Sequence, residues 1–520
     1  MPSKRLVQLL LFVMLLAMTA FVAIKLYHSD DEMKFEGSVE FNKAGEQVLA
    51  YFNEEKDSLK HVAAKFILEN AAYHFHPLTT FVDSTNGFVD FNVYAYKTSE
   101  EIDKAIDSLI NLKKYRLYRV SAWDVDSLSA REIIDNIEMA FSVWESKPWA
   151  KNATFSQFCE YILPYRAYDE PLENWRNGLF DHYDWIGDSI SNAGDPVEAC
   201  KLINTSLSKW LKFDWERGSR ELNSQSISEV TQNKYGKCRD LVMMATCAMR
   251  AQGIPVAIDY VPYWGHRNAG HFWNVVLSNN GSMVSFNSAE KNPGEYQAIE
   301  PHFKPGKIFR HSYSKQPEAL ASIKEPEDVV PDFLNKFNIK DVTKEYISVG
   351  EVVLSELKTP SDTRFVYLCV YNGGNWKPVY WSAIENGKAT FEDMDNNNVL
   401  YLPMYFLKNQ LLPAGPPFVF SKDDSIKVLE GSEKKAGLTV KHLYSDENGV
   451  LKGVFEENVN YVLSIWDGYW KRIDQHTADS SRTVRFVDVP DNALLRLEST
   501  VLDNLYQRPM IIENGETVFL

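Results

Sequence analysis

The sequence is that of a multidomain α+β protein: a helical N-terminal region, an α+β core, and two antiparallel β-sandwich domains at the C-terminal end. Three observations lead there. Up to about residue 250, apolar residues recur at helical spacing. From about residue 340, short alternating runs are cut by Gly, Asn, Asp and Pro. Between them, Gly236 to Asn287 holds one apolar helix followed by strands and a tight turn. A chain of 520 residues is also too long for one hydrophobic core. The expected segments are 1–30 as membrane anchor or signal, 31–125 as a mostly helical scaffold, and 126–330 as the core with its upstream helices. The β-sandwiches are expected at 340–430 and 431–520.

Leu6 to Ile24 is an apolar run preceded by Lys4 and Arg5 and followed by Lys25, then Asp30, Asp31 and Glu32. It is long enough to cross a bilayer, and a small-x-small cleavage pattern is poor. The expectation is an uncleaved anchor with the amino end in the cytoplasm and the body on the periplasmic side; a cleaved signal peptide is the alternative. Cys159, Cys200, Cys238, Cys247 and Cys369 are too sparse for a disulfide framework. A formal net charge of −16 without a basic stripe argues against nucleic-acid binding. With no paired CxxC or HExxH spacing, no metal and no cofactor is expected.

In the scaffold, Phe41 to Phe52 and Lys56 to Tyr73 carry helical stripes, and His74 to Pro77 end the second helix as a solvated terminus. Ser99 starts a third helix, whose stripe is Ile102, Ala105, Ile106, Leu109 and Ile110. Ala130 to Trp144 and Thr154 to Leu163 are amphipathic, and Trp175, Trp185, Trp210 and Trp215 are expected as buried core. Trp215 to Lys237 is polar and loop-like.

Next comes Gly236-Lys-Cys-Arg-Asp and the apolar run Leu241 to Met249, with Gly253 as the helix stop. Cys238 therefore sits in the first helical turn, where free N–H groups and the helix dipole favour a thiolate. Cys247, nine residues on, faces the opposite side and is read as packing. A strand over Ile254 to Tyr263 follows, then His271 to Leu277, an Asn280-Gly281 hairpin turn, and Met283 to Asn287. In that hairpin Asn287 is placed to accept a hydrogen bond from the His271 ring and fix its tautomer.

Gly236-x-Cys238 opening a helix, His271-x-Trp273 opening a strand, and a polar residue on the next strand resemble the transglutaminase-like superfamily, a circularly rearranged relative of papain-type cysteine proteases. The resemblance covers roughly residues 196 to 290. Phe158 to Tyr165 and Pro171 to Trp175 are similar to transglutaminase-like proteins of Bacteroidetes bacteria. The resemblance implies Cys238 as nucleophile, His271 as general base and acid, and Asn287 as orienter where the family most often has Asp. Gln232 lies at the offset papain-like enzymes use for an oxyanion-hole glutamine.

From residue 340, Asp362 to Val370, Lys377 to Ile384, Lys388 to Asp393 and Asn398 to Phe406 alternate as antiparallel strands. Leu368 to Lys377 with Ala389 to Phe391 and Val399 to Leu402 is repeated in Leu463 to Lys471 with Val484 to Phe486 and Leu494 to Leu497. Gly431 to Gly437 is expected as the linker, and Trp376, Trp381, Trp466 and Trp470 as inward-facing core.

The expected function is an exported cysteine enzyme acting on amide or peptide bonds through an acyl-thioester on Cys238, with hydrolysis ahead of acyl transfer. Its substrate is a peptide, a protein or a peptidoglycan stem. The alternatives are a non-catalytic peptide- or glycan-binding envelope protein that keeps the same shell, and a structural protein in which Cys238 is packing. Oligomeric state is left open.

Overall fold

The structure is a computed structural model. It describes residues 39–520 apart from 86, 90, 359, 361–362, 446–449, 500–507 and 514. The expected anchor, Leu6 to Ile24, and the expected strand start at Asp362 lie outside the described residues. No helix among those described is long and apolar enough to cross a membrane. The chain divides into two compact units. The first runs through Ala257 and adds Val275–Val284 and Ser288–Pro293; the second holds Ile258–Asn274, Ser285–Asn287 and Gly294–Leu520.

In the first unit the helices Val39–Tyr51, Ser58–Ala71 and Ala130–Ser146 pack together. Ser129 closes a reciprocal capping box with Glu132, and Thr154 does so with Gln157 ahead of the helix Phe155–Tyr161. The scaffold is less helical than its stripes imply. Phe75–Val82 pairs antiparallel with Phe88–Val89 on one side and with Arg116–Trp123 on the other. His74 to Pro77 is consequently not a solvated helix end: His74 and His76 are buried, and the His76 Nδ1 lies 2.8 Å from the Asp169 carbonyl. The helix Ser99–Asp107 starts where the pattern puts it and is capped by Thr98, whose hydroxyl accepts the Glu101 N–H. Of the expected tryptophan core, Trp175 is buried and donates to the Tyr165 carbonyl, but Trp185 and Trp215 are 40% and 57% exposed. The stretch before the thiol is also more ordered than expected, with helices over Trp215–Gly218 and Ile227–Asn233.

The thiol helix runs Cys238–Ala251, buried from Asp240 onward, under Ala130–Ser146, Arg176–Tyr183, Pro196–Trp210 and Ile227–Asn233. It ends as expected at Gly253, φ 73°. Gly253 N–H donates to the Arg250 carbonyl and Ile254 N–H to the Met249 carbonyl, a paired C-terminal stop that a Cβ at φ > 0 would strain. A five-stranded sheet follows in the order Ile339–Asp341, Phe309–His311, Val256–Val261, His271–Leu277, Met283–Phe286. Gly281, φ 85°, turns the last pair, and Ser278 N–H donates to the Ser282 carbonyl.

In the second unit the repeat is visible strand by strand. Val349–Leu354 pairs with Ala389–Asp395 opposite a sheet built on Asn375–Ala383, Phe365–Asn372 and Val399–Leu407. Lys435–Val440 pairs with Val484–Pro490 opposite Trp470–Thr477, Asn460–Trp466 and Leu495–Glu498. Even the register breaks recur, at Leu368/Cys369 and Leu463/Ser464. Each copy closes on its own apolar core, centred on Leu368, Phe391 and Tyr401 in the first and on Leu463, Phe486 and Leu497 in the second. Two details differ from expectation. The second copy's first strand starts at Lys435, so the linker does not extend to Gly437. Trp376, Trp466 and Trp470 are not inside either core: Trp376 meets Trp466 at 5.5 Å and Trp466 meets Trp470 at 5.2 Å, joining the two copies through aromatic edges.

Candidate functional site

Cys238 is the first residue of its helix and is half-buried. Its approach is held by Asp240, fully buried, whose carboxylate accepts the Lys237 N–H at 3.0 Å and the Gln225 N–H at 3.1 Å. The glycine two residues before the thiol has a steric reason: a Cβ at Gly236 would lie 2.7 Å from the Asp240 Cβ. Lys237 Nζ stands 3.0 Å from Glu221. Burial, and then the neighbouring Asp240, pushes the Glu221 carboxyl up to about 8. The other four cysteines are buried, and burial raises each thiol well above its usual range. Cys247 is the packing residue its spacing implies.

His271 opens its strand in the second unit. Its Nε2 lies 2.9 Å from the Tyr296 hydroxyl, and its ring stacks on Trp273 at 5.9 Å. Burial, with Arg267 next, lowers the imidazole to about 4. Trp273 is fixed from behind: its Nε1 donates to the Tyr346 hydroxyl at 2.9 Å, and Tyr346 donates to Asp259 at 2.6 Å. Arg310 grips Asp259 with two hydrogen bonds of 2.8 Å and reaches Glu345 at 2.9 Å. Asp259 and Arg310 are both buried, so the pair is a fixed support under the Trp273 indole.

The loop leading into His271 is tied to the β-repeats. Asn372 Nδ2 lies within 3.0 Å of the Trp264, Arg267 and Ala269 carbonyls. The Gly373 N–H and Arg508 both donate to Asn268 Oδ1, and buried Arg508 also donates to the Gly265 and Tyr371 carbonyls. Immediately before His271, a Cβ at Gly270 would stand 2.6 Å from the Pro262 carbonyl oxygen and 2.9 Å from that of Val261. Backbone atoms cannot move aside cheaply. Gly270→Ala is therefore expected to cost about 1–3 kcal/mol of unfolding free energy, measured as a lower urea midpoint at unchanged slope.

Cys238 thus lies in the first unit, and His271 and Asn287 in the second. Asn287 follows the last strand of the hairpin and is half-buried, but the partner found at Nε2 of His271 is Tyr296. Gln232 is exposed on the helix Ile227–Asn233 and lines a cavity with Trp175, Tyr183 and Trp210; Cys238 is not in that lining. Pattern reading missed Tyr296, Asp259 and Tyr346. Tyr296 sits among Gly294, Glu295 and Gln297, where no period marks it. Among the described residues no group of three His, Cys, Asp or Glu is disposed to hold a metal.

A model of the Transglutaminase-like superfamily matches residues 184–288. No curated protein matches the chain. Among solved structures, the chain is similar to a putative cysteine protease from Cytophaga hutchinsonii, with 16% identity over 23% of this chain and 39% of that one, and a TM-score of 0.19. It spans well under half of that protein's length. Red sea bream transglutaminase is 9% identical over 86% of this chain and 78% of that one, TM-score 0.22. The Bacillus anthracis TIE protein is 14% identical over 51% and 46%, TM-score 0.12. The matched stretch contains both Cys238 and His271, together with the helix and the strand that carry them: residues 184–288 are a domain of the transglutaminase-like superfamily.

Proposed function

We propose that the protein is a thiol enzyme that opens amide or peptide bonds through an acyl-thioester on Cys238. The observation that carries this is the contrast among its cysteines. Four are buried with thiols pushed up by desolvation, and Cys238 alone is partly open, at a helix start. In this reading His271 takes the thiol proton through Nδ1 and returns it to the leaving amine. With Nε2–H donating to the Tyr296 oxygen, Nδ1 keeps the lone pair that the step needs. Tyr296 then takes the orienting role assigned to Asn287. The thioester goes to water, making the enzyme a peptidase or amidase; delivery to an amine is the variant chemistry. Export and an N-terminal anchor remain part of the proposal on the strength of the apolar run Leu6 to Ile24.

The test is the pH profile of iodoacetamide labelling, located by peptide mapping. Labelling of Cys238 at pH 6 should be rapid, should spare Cys247, and should fall away only as His271 takes up a proton near pH 4. In His271→Ala the profile should move to the free-thiol range of about 8.5. A Cys238 that reacts no faster than a free thiol, or a profile unmoved in His271→Ala, removes the pair from the proposed chemistry.

A further inference from the structure

A cavity of 820 Å³ opens in the first unit beside the helix Ile227–Asn233. Its apolar floor is Trp175, Leu179, Tyr183, Trp210, Ile227 and Met244, and its size is that of a small-molecule site. The helix along its wall carries opposite charges at its two ends. At the start, Glu173 accepts the Ser228 N–H at 2.8 Å. Just past the end, Lys234 is exposed in a left-handed cap, φ 63°, its N–H bonded to the Val230 carbonyl. Both charged residues line the cavity.

Seven helical residues span ~10 Å. An extended tripeptide spans ~10 Å as well. We propose that this cavity binds a short peptide of about three residues with both termini free: ammonium at Glu173, carboxylate at Lys234, and apolar side chains on the Trp175 and Trp210 floor. Gln232, on the same wall, offers its amide to the peptide backbone. Free termini matter because each meets one charge of opposite sign, while a longer chain passing through would leave both unmatched. This site goes beyond the thiol chemistry and stands without it.

The test is calorimetric titration of the full chain carrying Cys238→Ala, so that no turnover intervenes. The probes are Leu-Phe-Leu with free termini, its N-acetyl form and its C-terminal amide. The free peptide should bind, and each capped form should bind about tenfold more weakly, the scale of one charged hydrogen bond. Lys234→Gln should abolish the discrimination against the amide, and Glu173→Gln, which still accepts from Ser228, that against the acetyl form. Trp210→Ala should weaken all three. The proposal is overturned by absence of binding, by capped forms that bind as tightly as the free peptide, by a terminal preference that survives its own variant, or by affinity unchanged in Trp210→Ala. Iodoacetamide labelling of Cys238 reads the thiol proposal separately, so either can fail alone.

Discussion

Asp259→Ala is expected to lower the unfolding free energy by about 3–5 kcal/mol, the cost of leaving a buried charge without its partner. Arg310 would keep only its bond to Glu345, and the Tyr346 hydroxyl would lose its acceptor. Urea unfolding followed by tryptophan fluorescence measures it. The double variant Asp259→Ala, Arg310→Met should recover part of the loss, because no charge is then stranded. If the single variant costs under about 1 kcal/mol, the range of an exposed ion pair, the cluster is not the support under Trp273 described above.

Tyr296→Phe tests the histidine side with little loss of volume. Removing the oxygen takes away the partner of Nε2, which in the proposed mechanism holds the ring and its tautomer. The second-order rate of Cys238 alkylation at pH 6 should fall about tenfold, less than the roughly hundredfold or more expected for losing the proton-transfer group itself. The sign of the pH effect follows from the same bond. A protonated ring still donates from Nε2, so losing the acceptor costs the cation more than the neutral ring. The acid limb, placed near pH 4 by burial and Arg267, should move lower still or flatten. Rate and limb unchanged would leave Tyr296 as packing and return the orienting role to Asn287. A purely structural defect would lower the rate at every pH without moving the limb.

The parts of the fold that local rules specify were legible before the structure. The thiol helix is apolar nearly all round and stops at a glycine with φ > 0; the hairpin turns on Asn280-Gly281; the β-copies repeat the same alternation between glycine turns. Where the pattern carried no period, inference failed. Arg116–Trp123 is exposed on both faces, so no alternation announced the sheet it forms with Phe75–Val82. Aromatic content alone could not separate Trp175, which finds a carbonyl to bond, from Trp185 and Trp215 in solvent. At the site, Cys238 and His271 stood out because each sits at an element start. Tyr296 did not, because its contact is made 25 residues from its partner across an irregular segment, and the Asp259 contacts to Arg310 and Tyr346 span 51 and 87 residues.

The ties on the loop before His271 carry a consequence for the order of assembly. The helix of Cys238 packs on four helices that precede it in the chain, whereas the loop at Gly265 is held by Arg508, 243 residues later, and at Trp264 by Asn372, 108 residues later. Distant contacts of this kind repay their closure entropy only once most of the chain is in place. A polypeptide emerging from the ribosome would therefore carry its thiol on a formed helix long before the histidine loop takes shape. The β-repeats act as a timer: the chain has to be made as far as Arg508 before the loop at His271 is set.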